Sequence, residues 1–141
     1  MPAPERVVAV VGEWVVKAEN DLRNAAYTLE MEEDCPTDTV CFHAQQCAEK
    51  YLKAFLVSMG MDFPRNHDIE TLVALLPTGI EVGLAATEQR RLTTYATVSR
   101  YPGDYEPISL AEARHAVKLA RRVRRVLRRH LPKEALRKRR K

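Results

Sequence analysis

The chain has 141 residues, 45% hydrophobic and 30% charged, the balance of a single ordinary globular domain. Five glycines and eight prolines exclude collagen-like and Pro/Gly-rich disordered classes, and the early apolar run from Val7 to Gly12 is too short to span a bilayer. The net charge of +4 conceals an asymmetry: residues 114–141 hold 14 of the 23 basic side chains and one of the 19 acidic ones, so residues 1–113 are net acidic and the end is strongly basic.

The pattern predicts helices throughout. Val7, Val11, Trp14, Val15, Ala18, Leu22, Ala25 and Leu29 recur at three- and four-residue spacing and predict a first helix over about 7–31. The segment Asp34 to Asp38 breaks it, and Thr37 or Asp38 is expected to cap a second helix over about 39–59. Its apolar face is read as Cys41, Ala44, Cys47, Ala48, Tyr51, Leu52, Phe55 and Met59, with Gly60 as the stop. Short helices are expected over 68–76, ended by Pro77, and over 87–98. The turn from Arg100 to Pro107 follows. The last helix opens on the capping-box pair Ser109 and Glu112 and runs to Leu131, where Pro132 ends it. The expectation is an all-α, up-and-down bundle of four or five helices over residues 1–131, with a disordered basic tail over 132–141. Apolar surface left over by so small a bundle favours a homodimer.

Three cysteines, odd in number and without a CxxC pair, indicate neither a disulfide framework nor zinc, and buried thiols are expected. No histidine pair has metal-ligand spacing, no glycine-rich phosphate loop is present, and no cofactor is expected. The start lacks the features of a signal peptide, so the expected location is cytoplasmic, without membrane contact.

The second helix carries the most informative polar face. His43, Gln46, Lys50 and Lys53 fall within about 80° of one another on a helical wheel. An imidazole, an amide and two cations suit a phosphate together with a base or ribose; an ordinary solvated face containing a Glu49–Lys53 pair is the alternative. His67 precedes a helix start, where it is expected to pin the loop to a neighbouring helix or else to line the same groove. Arg100 and Tyr101 offer a guanidinium and a flat ring at that groove's rim, with Tyr105 nearby. The alternative is a structural corner. The arginines of the last helix are read as a solvated face, then as a contact for an acidic partner, then for nucleic acid.

Several pieces resemble one family: Trp14-x3-Ala18-x2-Asp21-Leu22-x2-Ala25, the run from Phe42 to Leu56 (FHAQQCAEKYLKAFL), Asn66-His67-Asp68-Ile69-x2-Leu72, and Tyr95-x4-Arg100-Tyr101-Pro102. Together they are similar to the HEPN domain (higher eukaryotes and prokaryotes nucleotide-binding). The resemblance implies a helical bundle, commonly homodimeric, that binds nucleotide or RNA and works beside a minimal nucleotidyltransferase in a toxin–antitoxin-like module. Other members are metal-independent ribonucleases whose activity goes with an Arg followed, after four to six residues, by a His. Here the positions in that window beyond Arg100 are Tyr105, Glu106 and Pro107. Arg124 and Arg125 precede His130 at acceptable distance, but within an arginine-dense helix where almost any His would match. Should the chain cleave RNA, the candidates are His43, His67, Arg100 and His130; otherwise it is a binding module, or an interaction protein that uses its basic end. In related modules the nucleotidyltransferase modifies a Tyr near the His motif, and Tyr101 and Tyr105 are the nearest equivalents.

Overall fold

The computed structural model describes residues 4–97 and 106–137. Five α-helices form among the described residues, α1 (Glu5–Leu29), α2 (Thr37–Ser58), α3 (Ile69–Ala74), α4 (Ala86–Thr94) and α5 (Leu110–Arg128), with short 3-10 turns at Glu32–Asp34 and Lys133–Leu136. No strand occurs among the described residues. None of these helices is long and apolar enough to cross a membrane.

Helix α2 is the centre of the bundle. Its buried positions include Val40, Cys41, Ala44, Cys47, Ala48 and the unbroken stretch Tyr51 to Leu56. So wide an apolar surface cannot be covered by one neighbour. Helix α1 packs antiparallel against one side, as Trp14 near Lys53 and Asp21 near His43 show. Helix α5 packs parallel to α2, with Ile108 beside Thr37 and Arg128 beside Tyr51. The short helices α3 and α4 carry the chain back between them. Met59, expected on the apolar face, is instead 53% exposed, because α2 ends at Ser58 and Gly60 turns the chain away with φ 67°.

A clasp of polar side chains ties the three long helices together. Glu19 on α1 accepts two hydrogen bonds from Arg124 on α5, at 2.7 and 2.9 Å. The fully buried Tyr51 on α2 donates to the same carboxylate at 2.6 Å and accepts from Arg128 at 3.0 Å. Two arginines read as solvated are therefore inward structural ties, held by a planar fork that matches a carboxylate.

Three local expectations change. Pro36 stands at the N-cap of α2, and Thr37 lies inside the helix, its hydroxyl donating to the Ile108 carbonyl at 2.7 Å. Only half of the capping box at α5 forms: Ser109 accepts from the Glu112 backbone at 3.0 Å, while the Glu112 carboxylate turns to Arg91 and Tyr95. Nor does a disordered tail begin at 132, since the Lys133–Leu136 turn packs Ala135 against Gly12 of α1. All three cysteines are buried and free, and burial pushes the Cys41 thiol up to about 12.

Tyr51→Phe removes one hydrogen bond to a carboxylate and one from a guanidinium. It should cost about 1.5–3 kcal/mol in urea denaturation without changing the helical circular dichroism of the native state.

Candidate functional site

The polar residues of α2 sort into two clusters, each built around a carboxylate. In the first, Asp21 of α1 lies at the edge of the apolar stripe and faces α2. One oxygen meets His43 Nδ1 at 2.8 Å and the other meets Lys50 Nζ at 2.5 Å. A carboxylate can only accept, so Nδ1 carries the proton and Nε2 is left as the acceptor nitrogen of the neutral ring. Nε2 has no hydrogen-bond partner among the described residues, and the side chain is 23% exposed. Phe42 stands edge-on to it, with ring centroids 5.3 Å apart, and is 37% exposed. Gln46, one turn along, is partly exposed and donates to Gln45 at 2.6 Å.

The second cluster is closed. Glu49 is buried and accepts from Lys53 (2.9 Å), Gln45 (2.9 Å) and His67 Nδ1 (2.9 Å). Lys53 is 8% exposed, lies 5.8 Å from the centroid of Trp14 and 5.6 Å from that of Phe63, and reaches the Asn66 carbonyl at 3.3 Å. Gln45 is fully buried and also donates to the His67 carbonyl at 3.2 Å. This network fastens the loop before α3 onto α2, and His67 is one of its pins. Burial by itself pushes the Glu49 carboxyl up, but hydrogen bonds from Gln45, Lys53 and His67 outweigh it and hold the group below its ordinary value.

The four donors therefore do not face one open cleft together. His43, Gln46 and Lys50 form the partly exposed strip of α2. Lys53 turns under the surface, because its long stem covers apolar rings and its charge is met by Glu49. Lys50 is likewise charge-matched, by Asp21. The strip thus presents an oriented imidazole acceptor, an amide and an aromatic edge more than free positive charge. Arg100, Tyr101 and Tyr105 lie outside the described residues. His130 sits elsewhere: it packs edge-on to Phe55, with centroids 6.4 Å apart, and lines a cavity of about 690 Å³ with Val8 and Met59. Phe55 is twelve residues beyond His43 on α2, about 18 Å along the helix. Arg124, one of its candidate partners, is held by Glu19. Arg125, the other, is exposed on α5, which ends at Arg128, two residues before His130.

Sequence reasoning missed Asp21 and Phe42 as members of these clusters, and it read the Glu49–Lys53 pair as solvated where the structure buries it. The available signal was chemical: an acid bordering the apolar stripe of α1, and an acid among the buried positions of α2, each requiring a partner.

The sequence pattern of the HEPN domain matches residues 11–130, nearly the whole bundle. The chain belongs to the HEPN family. Two solved structures share its fold. TT1696 from Thermus thermophilus superposes with a TM-score of 0.71 at 26% identity, covering 86% of this chain and 98% of its own. ST0689, described as an archaeal HEPN homologue, gives 0.67 at 28% identity, with the same coverage of 86% and 98%. No curated protein matches the chain. In this HEPN bundle the FHAQQ-x-AEK segment of α2 supplies both clusters, with Phe42, His43 and Gln46 in the open one and Gln45 and Glu49 in the closed one.

Two outcomes follow. Glu49→Ala leaves Lys53 buried without its counter-charge and should cost about 3–5 kcal/mol, and adding Lys53→Met should recover part of that loss. Glu49 and Glu19 both titrate below the ordinary carboxyl value of 4.5 when folded. Their contribution is present above that value and is lost as pH falls through the lowered folded values. Melting temperature should therefore fall steeply below roughly pH 4.5, and less steeply in Glu49→Gln.

Proposed function

We propose that this HEPN protein binds a nucleotide or the exposed nucleotide of an RNA at the open strip of α2, as a homodimer that works with a minimal nucleotidyltransferase in a toxin–antitoxin-like module. The observation that carries the reading is the Asp21–His43 pair. It holds Nδ1 of the imidazole against Asp21 and leaves Nε2 without a partner among the described residues, next to a partly exposed aromatic ring and an amide. Phe42 then offers a face or edge to a base, while His43 Nε2 and Gln46 meet hydroxyl or base-edge donors. Lys50 orients Asp21 and adds its charge for a phosphate that approaches the strip. Arg100 and Tyr101 remain the proposed rim. The family's habit of pairing supports the homodimer.

A second reading, metal-independent ribonuclease, is favoured by the same pair, since an imidazole oriented by a carboxylate is the arrangement a general base requires. The absence of a His five to seven positions after Arg100 argues for binding over cleavage.

Titration with adenosine, guanosine, cytidine and uridine monophosphates should shift the NMR signals of Phe42, His43 and Gln46, and His43→Ala should weaken binding by about tenfold, the worth of one lost hydrogen bond. No shift at millimolar nucleotide contradicts the binding site. RNA cut in EDTA by the wild type and left intact by His43→Ala would establish the second reading instead.

A further inference from the structure

Helix α5 sorts its cations into two sets. Arg122, Arg124 and Arg128 turn toward the body, where the Gly83 carbonyl, Glu19 and Tyr51 receive them. Arg114, Lys118, Arg121 and Arg125 are exposed, and none forms an ion pair among the described residues. These four lie within about 60° of one another on a wheel and along about 16 Å of the axis. They form a continuous cationic line.

Beside this line, α1 and α5 enclose a cleft of about 340 Å³ that Arg23, Tyr27 and Arg121 line. A second hollow of about 340 Å³ lies along Tyr27, between Asn20 and Thr28. Tyr27 is 64% exposed, the most exposed large hydrophobic residue among the described residues, and it stands between the two hollows. Glu19, on the cleft wall, is already neutralised by Arg124, which leaves Glu30 as the carboxylate opposing Arg23 and Arg121 there.

We propose that the cleft between α1 and α5 binds single-stranded nucleic acid, with a base stacked on Tyr27 and the phosphates following Arg121 and Arg125. An acidic peptide would pair with the cations but has no flat face for Tyr27. A duplex would meet the charge but hide its bases. A single strand satisfies both, because every base has a face to stack and every linkage has a charge. This site is separate from the His43 strip. Asp21 and Glu19 project from α1 about 160° apart, so the two lie on opposite flanks of that helix.

The test is fluorescence anisotropy of the full chain with labelled single-stranded RNA, single-stranded DNA and duplex RNA, with polyglutamate as competitor. Single strands should bind. Tyr27→Ala should weaken them about tenfold while Tyr27→Phe keeps wild-type affinity. Arg121→Glu with Arg125→Glu should weaken them further and reduce the salt slope by about 2. Arg65→Glu, in the loop before α3 on the opposite flank, should change nothing. RNA and DNA arms that differ identify which strand is preferred. Wild-type binding by Tyr27→Ala, or duplex or polyglutamate competing as well as the single strand, overturns the proposal.

Discussion

Helix α2 is enclosed on most of its circumference, and each polar group it carries must find a partner or lose its solvation for nothing. That constraint organises the bundle. Tyr51 takes Glu19 and Arg128, Glu49 takes Gln45, Lys53 and His67, and His43 and Lys50 share Asp21. Three carboxylates thus set where the flanking helices and the loop before α3 sit. No buried side-chain nitrogen or oxygen is left without a partner among the described residues. Such closure restricts register: sliding α1 by one turn against α2 would separate Glu19 from Tyr51 and Asp21 from His43 at once.

The same constraint bears on what is left for function. A buried ion pair is a weak source of net stability, yet removing either partner strands the other's charge, so the pair holds its two residues together. Lys53 is spent on arrangement. His43 is different, since only one of its ring nitrogens is used, and the carboxylate that uses it fixes the direction of the other. The fold therefore fixes the tautomer and direction of one imidazole at a partly open strip. The Phe42 ring stands at its edge, 37% exposed.

Much of the architecture was legible from periodicity. The stripes of α1 and α5, the stop at Gly60 and the Ser109 cap follow from spacing and from single residues with one physical role. The polar clusters were legible only in part. A wheel places His43, Gln46, Lys50 and Lys53 on one face, yet cannot say that Lys53 bends beneath Trp14 and Phe63 while Lys50 stays near the surface. That choice is made by which neighbour supplies a carboxylate, and Asp21 comes from another helix. Arg124 and Arg128 are a similar case. In sequence they belong to an arginine-rich face, and only the approach of Glu19 and Tyr51 separates them from Arg121 and Arg125. The tail followed another rule, as one apolar pair, Ala135 and Leu136, was enough to dock a turn beside Gly12.

The open strip of α2 depends on Asp21 fixing the orientation and tautomer of His43. Long-range proton–nitrogen NMR on the imidazole nitrogens, above the pH at which the ring is neutral, tests it most directly. His43 should be protonated at Nδ1 and bare at Nε2, and Asp21→Ala should release this preference. A wild-type ring protonated at Nε2, or one unaffected by removing Asp21, would contradict it.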